Sequence, residues 1–121
     1  MKNILHAEDE KPIRDMISAL LKSLELVVES AEDGTIALAK FKLKPEYYNL
    51  LITDIDMPRM NGMELAINVR QISPGLPIIF FSSNEVNLSE VPGYTLNNTI
   101  YLAKPEGFKD IKKTIIEMLG S

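Results

Sequence analysis

A chain of 121 residues, 45% hydrophobic and 25% charged, has the make-up of one globular domain that buries roughly two-thirds of its unfolded surface. The absence of cysteine excludes disulfides and thiolate metal sites, and no apolar run nears the ~20 residues that span a bilayer. A net charge of −4 gives no electrostatic reason to expect nucleic-acid binding. Met1-Lys2-Asn3-Ile4 enters a strand pattern rather than a signal peptide, so the default location is the cytoplasm.

Ile4-Leu5-His6-Ala7 reads as a short strand ending on Glu8-Asp9-Glu10. Pro12 falls where a first helical turn tolerates a missing N–H. Ile13, Met16, Ile17, Leu20, Leu21 and Leu24 then repeat at the spacing of one helical face. Leu26-Val27-Val28 predicts a second strand, Asp33-Gly34 a turn, and Ile36 to Leu43 a second helix burying Ala37, Leu38 and Phe41. Leu50-Leu51-Ile52-Thr53 predicts a buried third strand that stops at Asp54 and enters a turn marked by Met57-Pro58 and Asn61-Gly62. A third helix follows, with Leu65, Val69 and Ile72 on its apolar side. Pro74-Gly75-Leu76-Pro77 turns the chain into Ile78-Ile79-Phe80-Phe81, a fourth buried strand that runs into Ser82-Ser83-Asn84. Between Glu85 and Asn98, Pro92-Gly93 and Asn97-Asn98 interrupt any long helix. Thr99 to Ala103 is a fifth strand ending on Lys104-Pro105, and Phe108, Ile111, Ile115 and Met118-Leu119 define a last helix.

Strands alternating with helices, the strands apolar throughout rather than at every second residue, predict an α/β domain. Its core is a doubly wound, five-stranded parallel sheet covered on both faces. Right-handed crossovers favour the flavodoxin-like order 2-1-3-4-5, here with an irregular fourth helix region. Residues 1–121 form a single domain in this reading.

Parallel strands bring their carboxyl ends to one edge. Strand one delivers Glu8 and Asp9, strand three Asp54, strand four Ser82 and strand five Lys104. Three carboxylates gathered there repel one another, and a hard divalent cation with oxygen ligands relieves the conflict, which suits Mg²⁺. Metal, ammonium and hydroxyl around one carboxylate are the parts that hold a phosphoryl group, with the carboxylate as nucleophile. Taken singly, each has a plainer account: the Glu8-Asp9-Glu10 run complements a helix N-terminus, Asp54 is a loop carboxylate, Ser82 a cap, Lys104 a solvated lysine. Their convergence on one edge favours the joint reading. His6 has no second histidine to join it and reads as a packed core residue. Phosphate-binding glycine loops of either common spacing are absent.

Along nearly its whole length the chain resembles the receiver domain of two-component response regulators. The resemblance rests on Glu8-Asp9, on Asp54-Ile55-Asp56-Met57-Pro58-Arg59-Met60-Asn61-Gly62, on Ser82-Ser83 and on Lys104-Pro105. It implies that Asp54 accepts a phosphoryl group from a phosphohistidine on a sensor histidine kinase or phosphotransfer protein. It implies Mg²⁺ held by Asp9 and Asp54, by the backbone carbonyl of Asp56, and by Glu8 acting mainly through a water. Ser82 and the Ser83 N–H then contact the phosphoryl oxygens, Lys104 pairs with them, and Tyr101 occupies the aromatic switch position that moves with Ser82. Such a domain is no enzyme in the ordinary sense, catalysing only its own phosphorylation and dephosphorylation, and an unknown downstream protein or output domain reads the switch. The sequence departs from the family at Val91-Pro92-Gly93-Tyr94 and Asn97-Asn98-Thr99, so the surface around the fourth helix is expected to be reshaped. By the same resemblance, Asp56 and Asn84 are expected at rim positions beside the attacking-water path, where they would tune the lifetime of the acyl phosphate. Two other readings compete: an interaction module with this fold that needs no phosphorylation, and a phosphatase of the haloacid dehalogenase type. The latter leaves the acidic pair of strand one without a role. No output domain follows Gly120-Ser121, so the chain reads either as a stand-alone switch or as the first domain of a longer protein.

Overall fold

The computed structural model describes residues 2–83, 98–104 and 108–120. The strands are β1 (Asn3–Ala7), β2 (Val27–Ala31), β3 (Leu50–Thr53), β4 (Ile78–Ser82) and β5 (Thr99–Ala103), and the helices are α1 (Lys11–Ser23), α2 (Gly34–Leu43), α3 (Gly62–Ile72) and α4 (Phe108–Leu119). All neighbouring strands are parallel, in the order β2-β1-β3-β4-β5. The expected doubly wound fold and strand order are thus present. The irregular fourth helix region expected between β4 and β5 falls largely on residues 84–97, outside the described residues.

The sheet separates two apolar layers. Leu5, Leu51, Ile78 and Phe80 face α2 and α3 and pack with Phe41, Leu65, Ala66 and Val69. Ile4, Leu50, Ile52, Ile79 and Phe81 face the opposite way, toward Ile17 and Leu21 of α1 and Ile111 and Ile115 of α4. Successive strand residues point to opposite faces, so only an unbroken apolar run fills both layers. Each fully buried Ile, Leu or Phe contributes about 1.5–3 kcal/mol relative to exposure.

Local signals set the helix starts. Asp33 caps α2 by accepting the Ile36 N–H at 2.8 Å, so the helix begins at Gly34, two residues before its first apolar position. Asn61 and Glu64 form a reciprocal capping box at α3, with hydrogen bonds of 2.8 and 3.2 Å. Two details differ from the sequence expectation. The second strand runs to Ala31 rather than stopping at Val28, because Glu29 and Ser30 satisfy their polar groups off the sheet. Glu29 pairs with Lys44 at 2.8 Å and with the Tyr48 hydroxyl at 3.1 Å, and the Ser30 hydroxyl lies 3.0 Å from that of Ser18. Ile72 is 42% exposed at the end of α3 rather than facing the core. In its stead the adjacent turn of α3 buries Arg70, whose guanidinium donates to the Leu76 carbonyl and, at 3.0 Å, to Thr99 Oγ1.

Candidate functional site

Glu8, Asp54, Ser82 and Lys104 lie at or just past the ends of their strands, and the ladder itself sets their height. Ala7 pairs with both Ala31 and Thr53, and Ser82 pairs with Ala103. One step further on, the Glu8 N–H donates to the Ala31 carbonyl at 3.0 Å and the Asp54 N–H to the Ala7 carbonyl at 3.0 Å. The Lys104 N–H donates to the Ser82 carbonyl at 2.9 Å. Parallel register thereby brings together side chains 96 and 50 positions apart: Lys104 Nζ lies 2.7 Å from Glu8 Oε1 and 3.1 Å from Asp54 Oδ2.

Glu8, Asp9 and Asp54 each place one carboxylate oxygen within 4.8 Å of the others. Glu8 and Asp54 are buried while Asp9 is exposed, so the acidic cluster opens to solvent along its Asp9 side. Asp54 Oδ1 accepts the N–H of Ile55 at 2.6 Å and that of Asp56 at 3.3 Å, leaving Oδ2 toward Lys104. Burial pushes the Glu8 carboxyl up to about 7, with the Asp54 carboxylate adding to the rise and the Lys104 ammonium opposing it. Burial alone would lower Lys104, but Glu8 and Asp54 outweigh it and hold the ammonium above its ordinary value. One ammonium shared by two buried carboxylates, with a third acid alongside, leaves negative charge uncompensated. This hard, all-oxygen donor set with an exposed member fits Mg²⁺.

The remaining candidates fall around this centre. Ser82 is buried at the end of β4, Ser83 follows it at the surface, and Asp56 is exposed beyond Asp54. Tyr101 packs against the α2/α3 core, its hydroxyl 3.5 Å from the Ser82 carbonyl oxygen. Asn84 lies outside the described residues. His6 is buried, as a core residue should be. Desolvation, then the positive charges of Lys104 and Arg14, lower its pKa to about 3, so the ring stays neutral.

Several residues have structural roles that the sequence reading did not assign. Arg14, one turn into α1, donates to the backbone carbonyl of Glu8 at 2.8 Å and more weakly to that of Asp9 at 3.4 Å, fixing the acidic loop. Asp33, read only as part of a turn, is fully buried and pairs with Arg59 of the β3–α3 loop. Gly34 and Gly62 mark close backbone approaches. A Cβ on Gly62 would overlap the Asp54 carbonyl oxygen, and one on Gly34 would overlap that of Met60.

The family model of the response regulator receiver domain matches residues 4–116, and the chain belongs to that family. It is 33% identical over 119 residues to the response regulator receiver protein CpdR of Brucella abortus, covering 98% of each chain. It is 30% identical over 115 residues to the alkaline phosphatase synthesis transcriptional regulatory protein SphR of Synechococcus elongatus. That match covers 89% of this chain but 45% of SphR, so the chain spans less than half of that relative. Among solved structures it resembles the response regulator protein TrrA of Thermotoga maritima in complex with Mg²⁺-BeF, with a TM-score of 0.84 at 29% identity, covering 98% and 99% of the two chains. TrrA in complex with the histidine kinase ThkA is similar at a TM-score of 0.82 and 28% identity, covering 99% and 100%. The domain is thus the receiver of a two-component response regulator, a class of signalling switch. No helix among the described residues is long and apolar enough to cross a membrane.

Proposed function

We propose that residues 1–121 form a single phosphoacceptor domain in which Asp54 is the residue modified. A phosphohistidine on a sensor kinase or phosphotransfer protein is the donor. The observation that carries this reading is the position of Lys104 Nζ, which sits between Asp54 Oδ2 and Glu8 Oε1 beside an acidic cluster open to solvent. Asp54 Oδ2 attacks phosphorus as the phosphorus–nitrogen bond of the donor breaks. The electron pair of that bond returns to the imidazole nitrogen, and the product is an acyl phosphate. Lys104 exchanges its contact with the free carboxylate for one with the phosphoryl oxygens. The Ser82 hydroxyl and the Ser83 N–H supply further donors to them. In this reading Glu8, Asp9, Asp54 and the Asp56 carbonyl hold Mg²⁺, which when bound neutralises charge on the transferring group.

Movement of Ser82 toward the phosphoryl group carries Tyr101 with it, through the backbone that the Tyr101 hydroxyl contacts, and so alters the surface around β5 and α4 that a downstream protein or output domain reads. The chain catalyses only its own labelling and hydrolysis, with Asp56 and Asn84 setting the acyl-phosphate lifetime. A kinase donor charged from ATP places this chemistry in the cytoplasm. The similarity to TrrA, crystallised with Mg²⁺-BeF and with a histidine kinase, supports the choice of metal and donor.

Incubation with acetyl phosphate tests the reading by intact mass. The wild-type chain gains one phosphoryl group in the presence of Mg²⁺ and none with the metal chelated, while Asp54→Asn gains none in either case. Labelling of Asp54→Asn equal to wild type would refute it. Steady turnover of a phosphate monoester by the wild type would instead favour a phosphatase.

A further inference from the structure

The β3–α3 loop carries the residues that follow the phosphoacceptor, and its backbone is held in a conformation that its own sequence does not favour. Arg59 lies at φ 66°, in the left-handed region, where a non-glycine residue persists only if its surroundings over-determine it. Those surroundings come from a distant turn. Asp33 is 0% exposed, and its Oδ2 accepts from Arg59 Nε at 2.8 Å and also from Arg59 Nη2. The neighbouring Gly34 N–H donates to the Met60 carbonyl at 3.1 Å, at an approach too close for any Cβ. At its far end the loop closes on itself through the Gly62 N–H and the Ile55 carbonyl at 2.8 Å. The other oxygen of Asp33 is committed to the Ile36 N–H, so one buried carboxylate joins the start of α2 to the middle of the loop.

We infer that Asp33 and Arg59 are positioning residues: their ion pair, with the Gly34–Met60 hydrogen bond, clamps the β3–α3 loop so that the Asp54–Asp56 backbone is preorganised for metal and phosphoryl binding. The inference rests on the proposed role of Asp54 for its functional half, while its structural half stands without it. Neither side chain reaches the phosphoacceptor. They act by denying the loop its alternatives, as outer-shell partners do at metal sites. Two features distinguish the pair from an ordinary surface ion pair. The carboxylate is buried, and burial alone would raise its pKa, yet the Ile36 N–H and the Arg59 guanidinium hold it below the usual range. The guanidinium binds side-on through two of its nitrogens, a geometry that lysine does not reproduce.

The test uses Arg59→Gly, which relaxes the backbone at this φ while removing the pair, together with Arg59→Lys and Asp33→Asn, the last of which keeps the α2 cap. Hydrogen exchange at the Gly34 amide of the metal-free protein reads the clamp directly, and calorimetric Mg²⁺ titration reads its consequence. Arg59→Gly and Asp33→Asn are expected to speed Gly34 exchange and to weaken Mg²⁺ binding about tenfold. The double variant should be no worse than either alone, and Arg59→Lys should recover part of the loss. Unchanged Gly34 exchange in Arg59→Gly overturns the clamp whatever the metal does. Faster exchange with undiminished Mg²⁺ affinity overturns its role at the site. A wild-type chain that binds no Mg²⁺ contradicts the proposed function instead, and the exchange result then still decides the structural half.

Discussion

Glu8, Asp54 and Lys104 show how a parallel sheet turns remote residues into one site. Each is the first residue beyond an apolar strand, and that position made them legible: a run such as Leu50-Leu51-Ile52-Thr53 has no reason to end on a carboxylate unless the strand tip has a use for it. Their mutual contacts follow from register alone. His6 belongs to β1, the strand that delivers Glu8, but to the core, and it makes a prediction of its own. Held neutral with a pKa of about 3 against 6.5 in the unfolded chain, it binds fewer protons when folded anywhere between those values. Its contribution is therefore complete above pH 6.5 and is lost as pH falls toward 3. Replacing it by Val should remove acid sensitivity on the order of a few kcal/mol between pH 6.5 and 4, measured by urea unfolding. A wild-type slope in His6→Val would contradict that account. The roles of Arg14, Asp33 and Arg59 were not legible, because nothing in a surface-type residue declares which carbonyl or carboxylate it meets in the fold. The pairing of Asp33 with Arg59 spans 26 positions and appears only once the fold exists.

Helices and strands were readable where one interaction dominated and less so where two competed. The period of α1 and the apolar runs of β3 and β4 announce themselves. The second strand did not reveal its end, since Glu29 and Ser30 look like a break until Lys44, Tyr48 and Ser18 are seen to receive them. Helix starts depend on single capping contacts. Loss of the Asn61 cap in Asn61→Ala should cost about 1 kcal/mol in chemical denaturation. An unchanged midpoint would mean that the box at α3 contributes nothing. Gly62 carries more, because a side chain there meets backbone. Gly62→Ala should cost about 1–3 kcal/mol and displace the loop after Asp54, lowering acetyl phosphate labelling even at temperatures where the variant stays folded. Wild-type stability and labelling in Gly62→Ala would show that the loop shifts freely.

At the scale of the whole sheet the expected architecture and strand order are present among the described residues, because the burial of both sheet faces leaves few ways to wind five strands. What pattern could not supply was the contact geometry at the sheet's carboxyl edge, where Lys104 pairs with buried Glu8 and Asp54 while exposed Asp9 stands beside them, an imbalance of one cation against three acids. That imbalance predicts that Mg²⁺ stabilises the fold. At a hundred times its dissociation constant the metal should add about 2.7 kcal/mol, seen as a rise in the thermal midpoint that Asp9→Asn abolishes. No rise with the wild-type protein would contradict the assignment of the acidic cluster. The most direct measurement is an NMR titration with beryllofluoride, a phosphoryl mimic, with and without Mg²⁺. With the metal, the account predicts that the amides of Ile55, Asp56, Ser83, Tyr101 and Lys104 shift together and saturably, and that they stay still when Mg²⁺ is chelated or Asp54 is replaced by Asn. Shifts elsewhere on the domain, or none at any of these amides, would contradict a phosphoacceptor site at the ends of the strands.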